Sequence, residues 1–225
     1  MTTILITGAG RGIGFELARQ SLAKGWRVFG SVRSEDATDK LTEALPDITP
    51  LIFDVTDGAA VEKAAASIDE PIDVLVNNAG VIGPARQSTL DMDFHGFETT
   101  LAINTIAPLR VAQAFLPLVR KSKAGRIVTI TSQMGRLSST ASDRIAYRAS
   151  KAAVNKVFQG LATDLRREDI SVLLVHPGWV QTDMGGQSAS ITPQDSASGI
   201  LALIDRMDMS MSGHFIDWDG VERGW

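Results

Sequence analysis

The chain has no cysteine, one tyrosine and three histidines in 225 residues. Without cysteine there is no disulfide, no thiolate zinc site and no cysteine nucleophile. His95, His176 and His214 are scattered, and no H-E-x-x-H or similar ligand cluster appears, so nothing in the pattern points to a metal. A basic surplus is missing too. Lys and Arg number 22 against 26 Asp and Glu, a net charge of −4 that gives no electrostatic reason to expect nucleic acid. No run approaches the ~18 apolar residues of a membrane span. The opening MTTILITGAGRGIG lacks the basic start, long apolar core and small-residue cleavage site of a secretory leader. A cytoplasmic protein that engages neither nucleic acid nor membrane is expected.

What is present is a globular balance, 44% hydrophobic and 21% charged. Strand-like runs alternate with helical ones. TILITG leads into an apolar helical face from Gly12 to Lys24, and WRVFGSV, TPLIFDV and IDVLVNNAG follow as strands with helices at DKLTEAL and GAAVEKAAASI between them. FETTLAINTIAPLRVAQAFLPLV has the length of one long helix, in which Pro108 should mark a kink or local break. RIVTITS, ISVLLVHPG and GHFID are further strands, with helices over Tyr147–Arg167 and Asp195–Arg206. This alternation predicts an α/β fold: a Rossmann-type doubly wound parallel sheet of about seven strands with helices on both faces. No linker, repeat or composition break divides the chain, so residues 1–225 read as one domain.

Two local features carry chemistry. TGAGRGIG (Thr7–Gly14) lies between the first strand and the first helix. Glycines there let the backbone turn sharply and approach a pyrophosphate, whose charge the helix N-terminus stabilises. A tight turn with no ligand is the alternative, and the strand–loop–helix setting favours a dinucleotide. The second feature is AYRASKAAVNK, where the lone tyrosine, Tyr147, precedes Lys151 by four residues and so shares a helix face with it.

The spacing T-G-x-x-x-G-x-G resembles the loop of the short-chain dehydrogenase/reductase family, and the resemblance extends over nearly the whole chain. It implies cofactor contacts from Thr7, Gly8, Gly10, Arg11, Gly12, Ile13 and Gly14. Asp54 and Val55 look like the pair that contacts adenine, and Asn78, Ala79 and Gly80 belong to the NNAG motif closing the fourth strand. PGWVQTD resembles the segment flanking the nicotinamide, which implicates Pro177, Gly178, Val180 and Thr182. Asn104, Ser132, Tyr147 and Lys151 match the catalytic tetrad. YRASKAAVNK, HPGWVQTDMGG and GHFIDWDGVERGW are most similar to the Sniffer-type carbonyl-reductase and C-factor-like branch.

The family's acidic position, which bonds the ribose 2′-hydroxyl of NAD, aligns here with Val32, and Arg33 follows. A carboxylate would repel a 2′-phosphate, whereas guanidinium pairs with it. NADP(H) is therefore expected, with Arg11 as a second positive group. Glu35 and Asp36 would instead serve NAD if the strand ended two residues later.

In carbonyl reduction a proton must reach the alkoxide that forms as hydride arrives. Tyr147 is the expected donor. An ordinary tyrosine pKa near 10 must fall for the reverse reaction, and an ammonium at Lys151 is one source of that shift. The resemblance implies that Lys151 also bonds the nicotinamide ribose. Ser132 closes the fifth predicted strand at the carboxyl edge, where its hydroxyl would bond the substrate oxygen, although a simple turn cap is its plain alternative. The resemblance alone gives Asn104 a water linking Lys151 to solvent.

The loop QMGRLSSTASDRIA between Ser132 and Tyr147 looks slightly long for the family. The short TDMGGQSASI connection suggests an open or mobile cover, and Trp179, Met184, Gln133 and Met134 suggest an apolar pocket wall with one polar group. An aldehyde, ketone or quinone substrate follows. Ala149, Ala152 and Ala153 would pack either on the sheet or against another copy, and the resemblance implies a homodimer or homotetramer. An NAD-dependent alcohol dehydrogenase and a cofactor-binding signalling or regulatory protein stand as alternatives.

Overall fold

Short runs of β-branched and leucine residues with no polar interruption suit strands buried on both faces, and the chain uses them that way. In the computed structural model, which describes residues 1–225, β1 (Thr3–Ile6), β2 (Arg27–Val32), β3 (Thr49–Ile52), β4 (Val74–Asn77), β7 (Arg126–Ile130), β8 (Ser171–His176) and β9 (Phe215–Asp217) form one sheet in the order β3-β2-β1-β4-β7-β8-β9. Every pairing in it is parallel. Successive residues of β1 enter opposite cores. Leu5 joins Phe29, Leu75 and Phe115 beneath α3 (Gly58–Ala66), α5 (Ala107–Val119) and α6 (Ile145–Leu165). Ile4 and Ile6 join Val28, Val76 and Ile200 beneath α1 (Gly12–Ala23), α2 (Glu35–Ala44) and α7 (Pro193–Arg206). Chain order reverses between β1 and β4, and the carboxyl ends of these strands open the crevice in which such sheets bind ligands.

The single long helix expected around Asn104 is three pieces. α4 (Phe94–Leu101) passes into a π-helical turn over Ala102–Ile106 and then into α5. The break falls ahead of Pro108 for a physical reason. Proline has no N–H to offer the carbonyl four residues back, which belongs to Asn104, and the widened turn absorbs the mismatch. Phe94–Val119 holds an 18-residue stretch with a mean hydropathy of 1.3, apolar enough on average to cross a membrane although polar residues interrupt it. Here Val111, Phe115 and Val119 on it are fully buried in the core.

A two-stranded hairpin of β5 (Gln87–Ser88) and β6 (Asp91–Met92) was not expected from the sequence. It precedes α4 and lies against the start of α6.

Candidate active site

The glycine loop is built by tight packing. Gly8 and Gly12 have φ of +69° and +56°, the left-handed region that favours glycine. A Cβ on Gly14 would lie 2.3 Å from the Gly8 carbonyl oxygen and 2.5 Å from Asn78 Nδ2, so α1 can approach the loop only without a side chain there. Asn78 clamps the turn from β4. Its Nδ2 donates to the carbonyls of Thr7 at 2.9 Å and Gly8 at 3.2 Å, while the Thr7 hydroxyl accepts the N–H groups of Asn78 and Ala79. Ser31 on β2 takes the N–H of Gly8 through its hydroxyl and that of Ala9 through its carbonyl. The N–H groups of Gly10 and Arg11 have no protein acceptor.

Helix caps sharpen the contrast. Ser34, Asp57, Asp93 and Thr192 cap α2, α3, α4 and α7 with side-chain oxygens, but Arg11 gives α1 none. The first turn of α1, from Gly12 through Ile13 and Gly14, thus presents unpartnered donors and the positive end of the helix dipole toward the crevice.

At the end of β2, Val32 is buried and Arg33 is exposed with no ion pair or hydrogen bond of its own. Glu35 and Asp36 lie in the first turn of α2, with Asp36 paired to Lys40 at 2.7 Å, so neither takes the strand-end position. Arg11 is already paired, its Nη1 being 2.6 Å from Asp183 Oδ2. Asp54 bonds the N–H and hydroxyl of Thr56, which hold its carboxyl below the usual range with help from the charge of Arg33. Val55 packs on the core beside α3.

Across the crevice, Ser132 stands just beyond β7 and Tyr147 in the first turn of α6; both are buried. Ser132 is indeed a turn cap, its Oγ accepting the Met134 N–H at 3.1 Å. That bond occupies a lone pair and leaves the hydroxyl proton to face the Tyr147 phenol. Burial pushes the Tyr147 phenol up, offset in part by the Ser132 hydroxyl and by the charge of Arg144. Lys151, from which a lowering was expected, contributes none. Lys151 Nζ lies 5.7 Å from the Tyr147 ring centroid and donates to the Ile130 carbonyl at 2.9 Å. Removal from water depresses this ammonium to about 8. One of its three donors is engaged.

Asn104 occupies the π-helical turn. Its Oδ1 accepts the Val81 N–H at 2.9 Å, and its Nδ2 donates to the Val81 carbonyl at 2.8 Å and the Ser150 hydroxyl at 3.0 Å. The side chain is a brace between the NNAG segment and α6. A Cβ on Gly80 would lie 3.2 Å from Asn104 Oδ1 and 3.8 Å from Lys151 Nζ, so that glycine lets the two residues meet.

The segment after β8 is more ordered than an open cover. The Gln181 N–H donates to the Ile191 carbonyl at 2.8 Å and the Ile191 N–H to the Trp179 carbonyl at 3.1 Å, which places Val180 beside Ile191, and the Trp179 indole donates to the Gly185 carbonyl at 2.8 Å. Pro177 accepts the Ser196 hydroxyl, and Gly178 has φ of +86°. Thr182 reaches the glycine loop, its Cγ2 being 3.2 Å from where a Gly12 Cβ would stand.

A cavity of about 670 Å³ lies beside this site. Four charged side chains share its wall with apolar ones, whereas an apolar wall with one polar group was expected. Met184 lines it, whereas Met134 lines a separate cavity of about 180 Å³ and Trp179 is half exposed. Sequence reasoning missed Gln87. Its Oε1 accepts the Tyr147 N–H at 3.1 Å, and its Nε2 donates to the carbonyls of Ile82 and Pro84. No periodicity marks a glutamine on a two-residue strand. Arg144, Ser31 and Thr56 were missed likewise.

The family model described as short chain dehydrogenase matches residues 2–191. C-signal of Myxococcus xanthus is 44% identical over 156 residues, covering 69% of this chain and 93% of that protein. Carbonyl reductase Sniffer of D. melanogaster superposes with a TM-score of 0.93 at 31% identity, covering 100% of both chains. The NADPH-bound carbonyl reductase from chicken fatty liver gives 0.91 at 30% identity, covering 100% of this chain and 99% of that one. With its parallel sheet, glycine loop and facing Ser132, Tyr147 and Lys151, the chain belongs to the short-chain dehydrogenase family.

Proposed function

We propose that the protein is an NADPH-dependent carbonyl reductase acting on an aldehyde, ketone or quinone. The observation that carries this reading is the meeting of buried Ser132, Tyr147 and Lys151 across the crevice from the start of α1, whose first N–H groups no side chain caps. The residues present fit the cofactor. The free N–H groups of Gly10 and Arg11, with the first turn of α1, suit a pyrophosphate. Unpaired Arg33 beside uncharged Val32 suits a 2′-phosphate. The two unused donors of Lys151 suit ribose hydroxyls, and the bound NADPH of the chicken reductase supports the same choice.

Reduced nicotinamide supplies the hydride when bound. Ser132 turns its hydroxyl to hydrogen-bond the substrate oxygen, keeping its own proton, and so stabilises the charge that grows there. Tyr147, held protonated by burial, transfers its phenolic proton to that oxygen. Lys151 then offsets the phenolate that remains. Asn104 keeps Val81 and Ser150 in register so that Lys151 stays under the tyrosine. Ala149, Ala152 and Ala153 are only partly buried while Val154 and Phe158 face the core, which supports pairing of copies through α6 as a homodimer or homotetramer.

A signalling role stands second, on the 44% identity to C-signal. NADPH and NADH oxidation against a panel of aldehydes, ketones and quinones separates the readings. Turnover with a clear preference for NADPH is expected. Tight cofactor binding with no turnover on any member would favour the signalling role, and an NADH preference would restore the alcohol dehydrogenase.

A further inference from the structure

The cavity beside Tyr147 carries a charge that the reductase chemistry does not use. Four charged side chains line it: Arg86, Asp91, Asp143 and Arg144. Arg86 Nη1 is 3.0 Å from Asp91 Oδ1, which neutralises that pair. Asp143 is held by Arg148, from Nη2 to its carboxylate at 2.6 Å and from Nε to its carbonyl at 2.7 Å. Both carboxylates in the wall are therefore engaged. Arg144 has no side-chain hydrogen bond and no ion pair, although the chain as a whole carries a net charge of −4.

Its place is fixed by its neighbours. The Arg148 clamp on Asp143 holds the residue before it. Its own carbonyl accepts the Arg148 N–H at 2.9 Å, so its backbone is anchored to the first turn of α6. Tyr147 lies in that same turn, and the charge of Arg144 reaches the buried phenol. Ile82, Pro84 and Met184 line the cavity as well and offer apolar contact to a carbon skeleton.

We propose that Arg144 determines specificity, and that the substrate is an aldehyde or ketone carrying a carboxylate a few bonds from its carbonyl. The guanidinium holds the carboxylate by paired N–H bonds in the cavity while the carbonyl oxygen sits at Ser132 and Tyr147. Neutral carbonyl compounds leave the guanidinium solvated and gain nothing from it. The proposal rests on the reductase reading, and its test separates the two.

The first measurement compares kcat/KM for 4-formylbenzoate with that for its neutral methyl ester. The wild type should favour the carboxylate by about tenfold or more, Arg144→Gln should bring the ratio within about twofold of unity, and Arg144→Lys should fall between them. The second reads the site without turnover, by calorimetric binding of benzoate against benzamide to the protein saturated with NADP⁺. Benzoate binding that depends on Arg144, with no carbonyl reduced, would keep the anion site and sink the reductase reading. Turnover of both aldehydes with no carboxylate preference, or a preference that survives Arg144→Gln, overturns the anion site and leaves the reductase standing.

Discussion

Lys151 is an ammonium held out of water with a single carbonyl for company. Its depression from 10.5 to about 8 corresponds to about 3 kcal/mol against folding at neutral pH. The sign follows from proton uptake. Below pH 8 both states are charged and the penalty is complete; between 8 and 10.5 the folded chain sheds its proton first and the penalty fades. Replacing a buried charge by an apolar group of similar length removes it. Lys151→Met should therefore stabilise the unliganded protein by about 1–3 kcal/mol in urea denaturation at pH 7, while weakening NADPH binding and abolishing turnover. A destabilised variant would mean that the bond to Ile130 outweighs desolvation. Tyr147→Phe deletes only a hydroxyl and keeps the packing. Turnover should drop by about 10²–10⁴-fold, with NADPH affinity by fluorescence titration largely retained. A near-normal rate would remove Tyr147 from the chemistry.

At the scale of elements, two glycines make opposite demands. Gly14 opens α1 where any Cβ would strike the Gly8 carbonyl, so Gly14→Ala must force the loop and helix apart. Gly160 lies inside α6 with nothing within 4 Å of its would-be Cβ. Gly160→Ala should raise stability by about 0.5–1 kcal/mol through helix propensity, whereas Gly14→Ala should lose stability and NADPH binding together. Equal effects in thermal unfolding and cofactor titration would show that the loop yields. The glycine loop was legible in the sequence because its constraint is local: a turn and a close approach need glycine wherever they occur. The strand runs were legible because burial on both faces leaves unbroken apolar stretches. The π-helical turn was only half legible, since Pro108 announces a missing N–H but not which side of it the helix will widen. Gln87 and Arg144 were not legible at all. Both act at Tyr147 from outside any regular pattern, Gln87 from 60 residues away in the chain.

Across the whole molecule, the carboxyl ends of the strands gather the groups that face the crevice, and His176 ends β8 among them. It is buried, and desolvation lowers its pKa to about 4, with the charge of Arg223 adding to the shift and those of Asp217 and Asp219 opposing it. Asp217 is its register partner on β9 and is bonded to Arg223, so the pair tying the C-terminal segment to the sheet presents little net charge to the imidazole. At pH 7 His176 is neutral and carries no penalty for a buried charge. As the pH falls below 6.5 the unfolded chain takes up a proton that the folded chain refuses until about 4, and stability declines through that interval by up to about 3 kcal/mol. Urea midpoints measured from pH 7 to pH 4 should fall steadily for the wild type, and His176→Gln should flatten the part between 6.5 and 4. If the two curves run parallel, carboxylates elsewhere set the acid limb. If the variant is flatter, a histidine outside the proposed chemistry limits the acidity the sheet withstands, because the last strand docks less stably on a charged imidazole than on a neutral one.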